Sequence, residues 1–177
     1  MTKLHLGCGK RYIPGYFHID AVEFPHVNLV HAVDSLPMIA DGSATVIYAC
    51  HVIEHFSRRE LPRVLAEWRR ILAPSGTLRV AVPDFEALCE LYRRTKRMDL
   101  IIGPLFGRGD YLYNLHFNCF DFSSLQTVLV DAGFKDVRRY DFRETEHAEV
   151  DDYASCFYPH MQKSDGLLLS LNVEATK

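Results

Sequence analysis

A near-continuous apolar run, Ala44-Thr45-Val46-Ile47-Tyr48-Ala49, follows directly on the turn residues Asp41-Gly42-Ser43. A strand without polar alternation is covered on both faces, and sheets covered on both faces are typically parallel. The neighbouring segments agree. Leu4-His5-Leu6 forms a short strand stopped by Gly7-Cys8-Gly9, Tyr16 to Ile19 a second ending at Asp20, Asn28 to Ala32 a weak third, and Thr77 to Val82 a fifth. Leu61, Val64, Leu65, Trp68, Ile71 and Leu72 recur at helical spacing between the fourth and fifth strands, with Ser57 and Glu60 as a capping pair and Pro74-Ser75-Gly76 as terminator. Pro62 requires that this helix start nearer Glu60 or have an irregular first turn. Asp84 caps a second helix carrying Phe85, Leu88, Leu91 and Tyr92.

Regular patterning then lapses between Arg93 and Phe120, a length that in a compact domain marks a functional loop or lid. Ser123 and Gln126 offer a capping box for a third helix with Leu125, Val128, Leu129 and Ala132 on its buried face and Gly133 as its stop. Phe134 to Phe142 and Leu167 to Val173 are two late strands with no helix between them, so they pair antiparallel at one edge. The expected fold is α/β, a Rossmann-like, mostly parallel sheet flanked by helices with a C-terminal antiparallel strand pair.

With 177 residues, 48% of them apolar, the chain can bury one core, and residues 1–177 are expected to form a single domain. A formal charge of -3 provides no sustained positive field, which argues against nucleic acid as a partner. The arginine doublets at 58–59, 69–70, 93–94 and 138–139 read as solvated surface. Five scattered cysteines without a Cys-x-x-Cys pair suggest neither a disulfide framework nor a thiolate zinc site and fit a reducing cytoplasm. No apolar run approaches membrane-spanning length, so no membrane insertion is expected, and nothing fixes the oligomeric state.

In open α/β sheets ligands bind beyond the carboxyl ends of the strands, which directs attention to the residues there. Gly7-Cys8-Gly9 permits a sharp turn and close approach of a ligand, but a dinucleotide loop would have a third glycine where Tyr12 stands, and no Gly-Lys-Ser or Gly-Lys-Thr is present. Asp20 is suited to accept from both hydroxyls of a ribose, with a plain turn role as the alternative. A carboxylate in Asp34-Ser35-Leu36-Pro37 is placed to take an adenine amine proton.

This ordered set, Leu4 to Gly9, Asp20, Asp34 to Pro37, Tyr48-Ala49-Cys50-His51-Val52-Ile53-Glu54-His55, Leu72 to Leu78 and Val82-Pro83-Asp84, resembles the successive motifs of class I methyltransferases near the methyltransferase type 11 group, from Leu4 to about Gly133. The resemblance implies S-adenosylmethionine as cofactor. Gly7, Cys8 and Gly9 would border its methionine part, Asp20 its ribose, Asp34 and Ser35 its adenine, with Cys50 also in the cofactor site and His51 beside the transferred methyl. Two departures stand out. The span from Lys10 to Tyr16 holds only a turn where the family has a helix, a shortening that resembles a compact subgroup associated with glycan modification, and Pro74-Ser75-Gly76 stands where Pro-Gly-Gly is frequent.

If the acceptor is a hydroxyl its proton must leave, and His51, Asp84 and His116 are the candidate bases. The aromatics Phe106, Tyr111, Tyr113, Phe117 and Phe120 would shelter the cationic donor, stack on a sugar, or only close the loop. His51-Val52-Ile53-Glu54-His55 also spells the His-x-x-Glu-His of inverted zinc peptidases, a pattern that needs a helix. The segment instead runs straight off a strand, no outlying carboxylate is evident, and no metal is expected. The expected activity is metal-free methyl transfer to a small-molecule or glycan-type acceptor, at oxygen, with residues 93–120 and 144–165 shaping the pocket. The alternative is a catalytically inactive cofactor-binding partner. A nicotinamide-dependent oxidoreductase is disfavoured by Tyr12.

Overall fold

The computed structural model describes residues 2–109, 114–163 and 165–177. Seven strands form one sheet: β1 (Thr2–Leu6), β2 (Tyr16–Asp20), β3 (Leu29–Val30), β4 (Ala44–Cys50), β5 (Leu72–Pro83), β6 (Lys135–Arg139) and β9 (Ser170–Thr176), in the order β3-β2-β1-β4-β5-β9-β6. β7 (Phe157–Tyr158) and β8 (Leu167–Leu168) make a separate antiparallel pair. The five strands from β3 to β5 pair in parallel, while β9 runs antiparallel to both β5 and β6. Strand order therefore reverses between β1 and β4, and a cleft opens beyond their carboxyl ends.

Side-chain alternation divides the sheet. Leu4, Leu6, Ile47, Ala49, Val80 and Val173 point to one face, where Leu65, Trp68 and Ile71 of α1 (Leu61–Ile71) and Leu125 and Leu129 of α4 (Phe122–Asp131) complete the main core. The opposite face is unusually polar: Tyr16 and Tyr48 pack with Ile13 under residues of the 144–152 segment, beside buried His5 and His18. No helix joins β1 to β2. Glu146 replaces its staple by accepting from Lys3 Nζ and Tyr16 Oη at 2.8 Å and from Arg79 Nη1 at 2.6 Å, while Tyr48 Oη donates to Asp152 at 2.5 Å.

Several boundaries differ from the sequence expectation for local reasons. Ser57 and Glu60 do hydrogen-bond reciprocally, at 2.9 and 3.3 Å, but they close a turn before α1, and Pro62 falls within the first helical turn, where its missing N–H costs nothing. β5 begins at Leu72 and runs through Pro74-Ser75-Gly76, with Ser75 at φ 60°, rather than starting at Thr77. The capping box of α4 is Asp121 with Ser124, not Ser123 with Gln126; Asp121 accepts from the Ser124 amide at 2.8 Å, two residues before the expected cap. The strand expected from Leu167 to Val173 is split at Leu169, whose amide donates to the Cys156 carbonyl and whose carbonyl accepts from the Asp84 amide. Within the irregular 93–120 stretch, α2 (Phe85–Thr95) ends and a short helix, α3 (Ile102–Phe106), forms. Among the described residues no helix is long and apolar enough to cross a membrane.

Candidate functional site

At the switch between β1 and β4 lies a cavity of about 480 Å³. Gly7 and Gly9 form its floor, with φ of 61° and 52°. A Cβ on Gly7 would come within 2.6 Å of Val52 Cγ2, whereas one on Gly9 meets nothing within 4 Å. Gly7 is thus required by packing against the loop after β4, and Gly9 by its left-handed backbone at an open surface.

Asp20, at the end of β2, reaches into this cavity and organises its wall. Its two oxygens accept from the Gly9 amide at 2.7 Å and the Val22 amide at 2.8 Å, fixing the glycine turn to the β2 end. Each oxygen keeps a second lone pair for a ligand. Asp34 lines the far end, its carboxylate held by Arg63 at 2.8 Å. The strip from 33 to 41 carrying it is tied to α1: the Trp68 indole donates to the Val33 carbonyl, Glu67 accepts from the Leu36 amide at 2.6 Å, and Arg70 reaches the Leu36 and Ile39 carbonyls. Val22, Phe24 and Ala32 give this end an apolar wall. Sequence patterning had not singled out Val22, Phe24, Val52 or Phe56, because isolated apolar residues in connecting loops carry no period.

The other end is formed by the segment after β4. His51 adopts φ 54°, with its amide donating to the Ala81 carbonyl at 2.8 Å, so the chain turns abruptly off the strand and the imidazole borders the cavity. Its Nδ1 is 3.4 Å from Glu54 Oε1 and its Nε2 3.4 Å from Ser170 Oγ, with the Tyr153 ring 5.2 Å away. Burial, assisted by His116 and His55, lowers His51 to about 3, so the ring is neutral at physiological pH. Residues 53–55 form one 3-10 turn rather than the helix a zinc peptidase pattern requires.

Not every sequence candidate borders this cavity. Cys8 is buried against His26, its thiol raised to about 12 by burial and by Asp20. Cys50 lies on the polar face of the sheet beside Tyr48, with burial raising its thiol well above the ordinary range. Ser35 does not line the cavity, although its neighbour Asp34 does. Asp84 caps α2 by accepting from the Glu86 amide at 3.0 Å and pairs with Arg139 at 3.4 Å. His116 sits outside the cavity wall, its Nδ1 2.8 Å from the Pro104 carbonyl. Of the aromatics, Phe117 lines the cavity, Phe106 is exposed and Phe120 is buried in the main core, while Tyr111 and Tyr113 lie outside the described residues.

A glycine turn, a strand-end carboxylate and a second carboxylate beyond the switch point thus surround one cavity, on a sheet whose last strand runs against its neighbours. Residues 19–80 match the family model described as a methyltransferase domain. The sheet, its strand order and its flanking helices are those of the class I methyltransferase fold. The methyltransferase fold recurs in solved structures along nearly the whole chain. A possible histamine N-methyltransferase from Thermotoga maritima superposes with a TM-score of 0.59 at 18% identity, covering 99% of this chain and 82% of its own. A methyltransferase from Archaeoglobus fulgidus gives 0.60 at 15%, covering 99% and 86%. A 1,6-didemethyltoxoflavin N1-methyltransferase from Burkholderia thailandensis, solved with its substrate and S-adenosylhomocysteine, gives 0.60 at 14%, covering 99% and 70%. At these identities the likeness is one of fold. No curated protein matches the sequence.

Proposed function

We propose that this protein is a methyltransferase that binds S-adenosylmethionine in the cavity between Gly7 and Asp34 and transfers its methyl group to a hydroxyl of a small-molecule or glycan-type acceptor. The arrangement that carries the reading is Asp20: a carboxylate nearly out of solvent, already locked to the Gly9 amide, with lone pairs left for two ribose hydroxyls. Adenine then lies along Val22, Phe24 and Ala32, with its amine toward Asp34, and the methionine part crosses Gly7 and Gly9 toward His51.

When bound there, S-adenosylmethionine would supply an electrophilic methyl on a sulfonium, with the neutral thioether S-adenosylhomocysteine as the leaving group, which needs no protonation; the residues around the cavity would contribute chiefly by holding acceptor oxygen and methyl in line. The acceptor proton passes to neutral His51, a weak base at its lowered pKa, so geometry carries more of the catalysis than proton affinity does. Asp84, engaged by the α2 cap and Arg139, is assigned a structural role. The stretch from 93 to 120, which brings Phe117 to the cavity, contributes to the acceptor side.

Calorimetric titration tests this reading. S-adenosylmethionine and S-adenosylhomocysteine should bind with one-to-one stoichiometry and NAD should not. Binding of NAD with silence for the other two would overturn it.

A further inference from the structure

Among the described residues, Glu54 is a buried side chain with both polar atoms unpartnered. It is fully buried, yet neither carboxylate oxygen has a hydrogen-bond partner among the described residues; His51 Nδ1 stands 3.4 Å from Oε1, without hydrogen-bond geometry. An unsatisfied buried carboxylate is costly and calls for a missing partner. Two imidazoles stand beside it. Ligand-capable atoms of Glu54, His55 and His116 all lie within 4.8 Å of one another, and the two rings are 4.8 Å apart between centroids.

The two histidines are oriented alike. His55 Nδ1 lies 3.0 Å from the Leu115 carbonyl and His116 Nδ1 2.8 Å from the Pro104 carbonyl. A carbonyl only accepts, so each ring carries its proton on Nδ1 and Nε2 is the basic nitrogen; the His51 carbonyl also lies beside the His55 ring. That is how imidazoles are held when the other nitrogen binds a metal, the backbone carbonyl fixing tautomer and orientation. The sequence expectation of no metal looked for an outlying carboxylate and a helix; the fold instead supplies a third donor, His116, from 61 residues along the chain, through a loop pinned by the Phe117 amide donating to the Glu54 carbonyl at 2.8 Å.

We propose that Glu54, His55 and His116 form a binding site for a divalent transition-metal cation at the edge of the cofactor cavity. Two imidazoles and one carboxylate suit ions such as Zn²⁺, Mn²⁺ or Co²⁺, and three protein ligands leave positions open, as in catalytic rather than structural sites. Donors on a tetrahedral ion stand roughly 3.4 Å apart at bond lengths of about 2.1 Å, so a spacing of 4.8 Å must close by about 1.4 Å, through small shifts of the side chains that keep both carbonyl bonds. Because His55 also lines the cavity, the open positions border it. There a cation would hold an acceptor oxygen, a role that rests on the methyl-transfer reading, whereas metal binding itself does not.

The test is titration of chelator-treated protein with Zn²⁺ by calorimetry and with Co²⁺ by visible absorption, with S-adenosylhomocysteine titrated on the same samples. One equivalent should bind, and His116→Gln, and separately the near-isosteric Glu54→Gln, should each weaken it by more than about 10-fold, the loss that even an outer-shell partner can cause. His116→Gln lies outside the cofactor cavity and should keep both the circular dichroism spectrum and S-adenosylhomocysteine affinity. Absence of metal binding by protein that still binds S-adenosylhomocysteine overturns the metal site alone. Metal binding unchanged in both variants overturns it too, by assigning the ion elsewhere, such as the cluster of His5, His18 and His26. Metal binding with no S-adenosylhomocysteine binding upholds the site and overturns the cofactor reading.

Discussion

Asp20 joins two tasks in one side chain, tying the glycine turn to β2 and presenting lone pairs to the cavity. Asp20→Ala is expected to weaken S-adenosylhomocysteine binding by about 2 to 3 kcal/mol, the worth of one or two charge-assisted hydrogen bonds, and unchanged calorimetric affinity would remove it from the ribose site. His5 makes a different prediction. It is 2% exposed, ringed by Tyr16, His18 and Tyr48, and burial, helped by the repulsion of His18, His147 and His26, lowers it to about 3. A histidine whose folded pKa is depressed contributes full stability above its unfolded value near 6.5 and loses it as pH falls below that. Acidification from pH 6.5 to 5 should therefore cost about 2 kcal/mol through His5, and the pH dependence of urea unfolding should flatten by that amount in His5→Phe. Residues of this kind are where sequence reading stops. Asp20 was legible because it follows a strand and a glycine turn, but no spacing rule reveals that Glu54 would be buried without a partner or that His116 would arrive beside it.

At the scale of elements, the most readable parts were those with a strong period. α1 and β4 stand where their apolar patterns put them, since burial decides both. Caps were less legible, because Asp, Ser and Gln within a few residues of one another all qualify and only the entry direction of the chain selects Asp121. Strand ends near the C-terminus failed similarly: the apolar run Leu167 to Leu169 does not show that Leu169 will turn aside to bond Cys156 and Asp84. Asp84 itself offers an element-scale test. Asp84→Ala should destabilise the protein by about 1 kcal/mol through loss of the α2 cap, measurable by urea denaturation, while Asp84→Asn restores most of that. If Asp84→Asn instead kept full stability and abolished turnover, the structural assignment would give way to a catalytic one.

For the molecule as a whole, cofactor binding should be visible as stability. At 100 times its dissociation constant, S-adenosylhomocysteine stabilises a folded protein by about 2.7 kcal/mol, which for a chain of this length raises Tm by roughly 5 to 10 °C, a shift that differential scanning fluorimetry would register and that Asp20→Ala should largely abolish at the same ligand concentration. The overall α/β class and the antiparallel pairing of the late strands followed from alternation of apolar segments, whereas the order of strands within the sheet did not. What alternation could not convey is how the sheet is covered without a helix between β1 and β2, because Glu146 and Asp152 sit in a polar stretch with no period and act across more than a hundred residues of chain.

That coverage has a bearing on how the protein is made. Among the described residues, all those lining the cavity lie before position 118, so the parts of the site leave the ribosome early. Yet the face bearing His5, Tyr16 and Tyr48 stays open until Glu146, His147 and Val150 are synthesised, and β5 lacks its antiparallel neighbour until the final strand emerges. A nascent chain stalled after Phe117 thus holds the whole inventory of the site without the means to assemble it, and ligand-induced protection from protease should appear only once the last strand has cleared the exit tunnel.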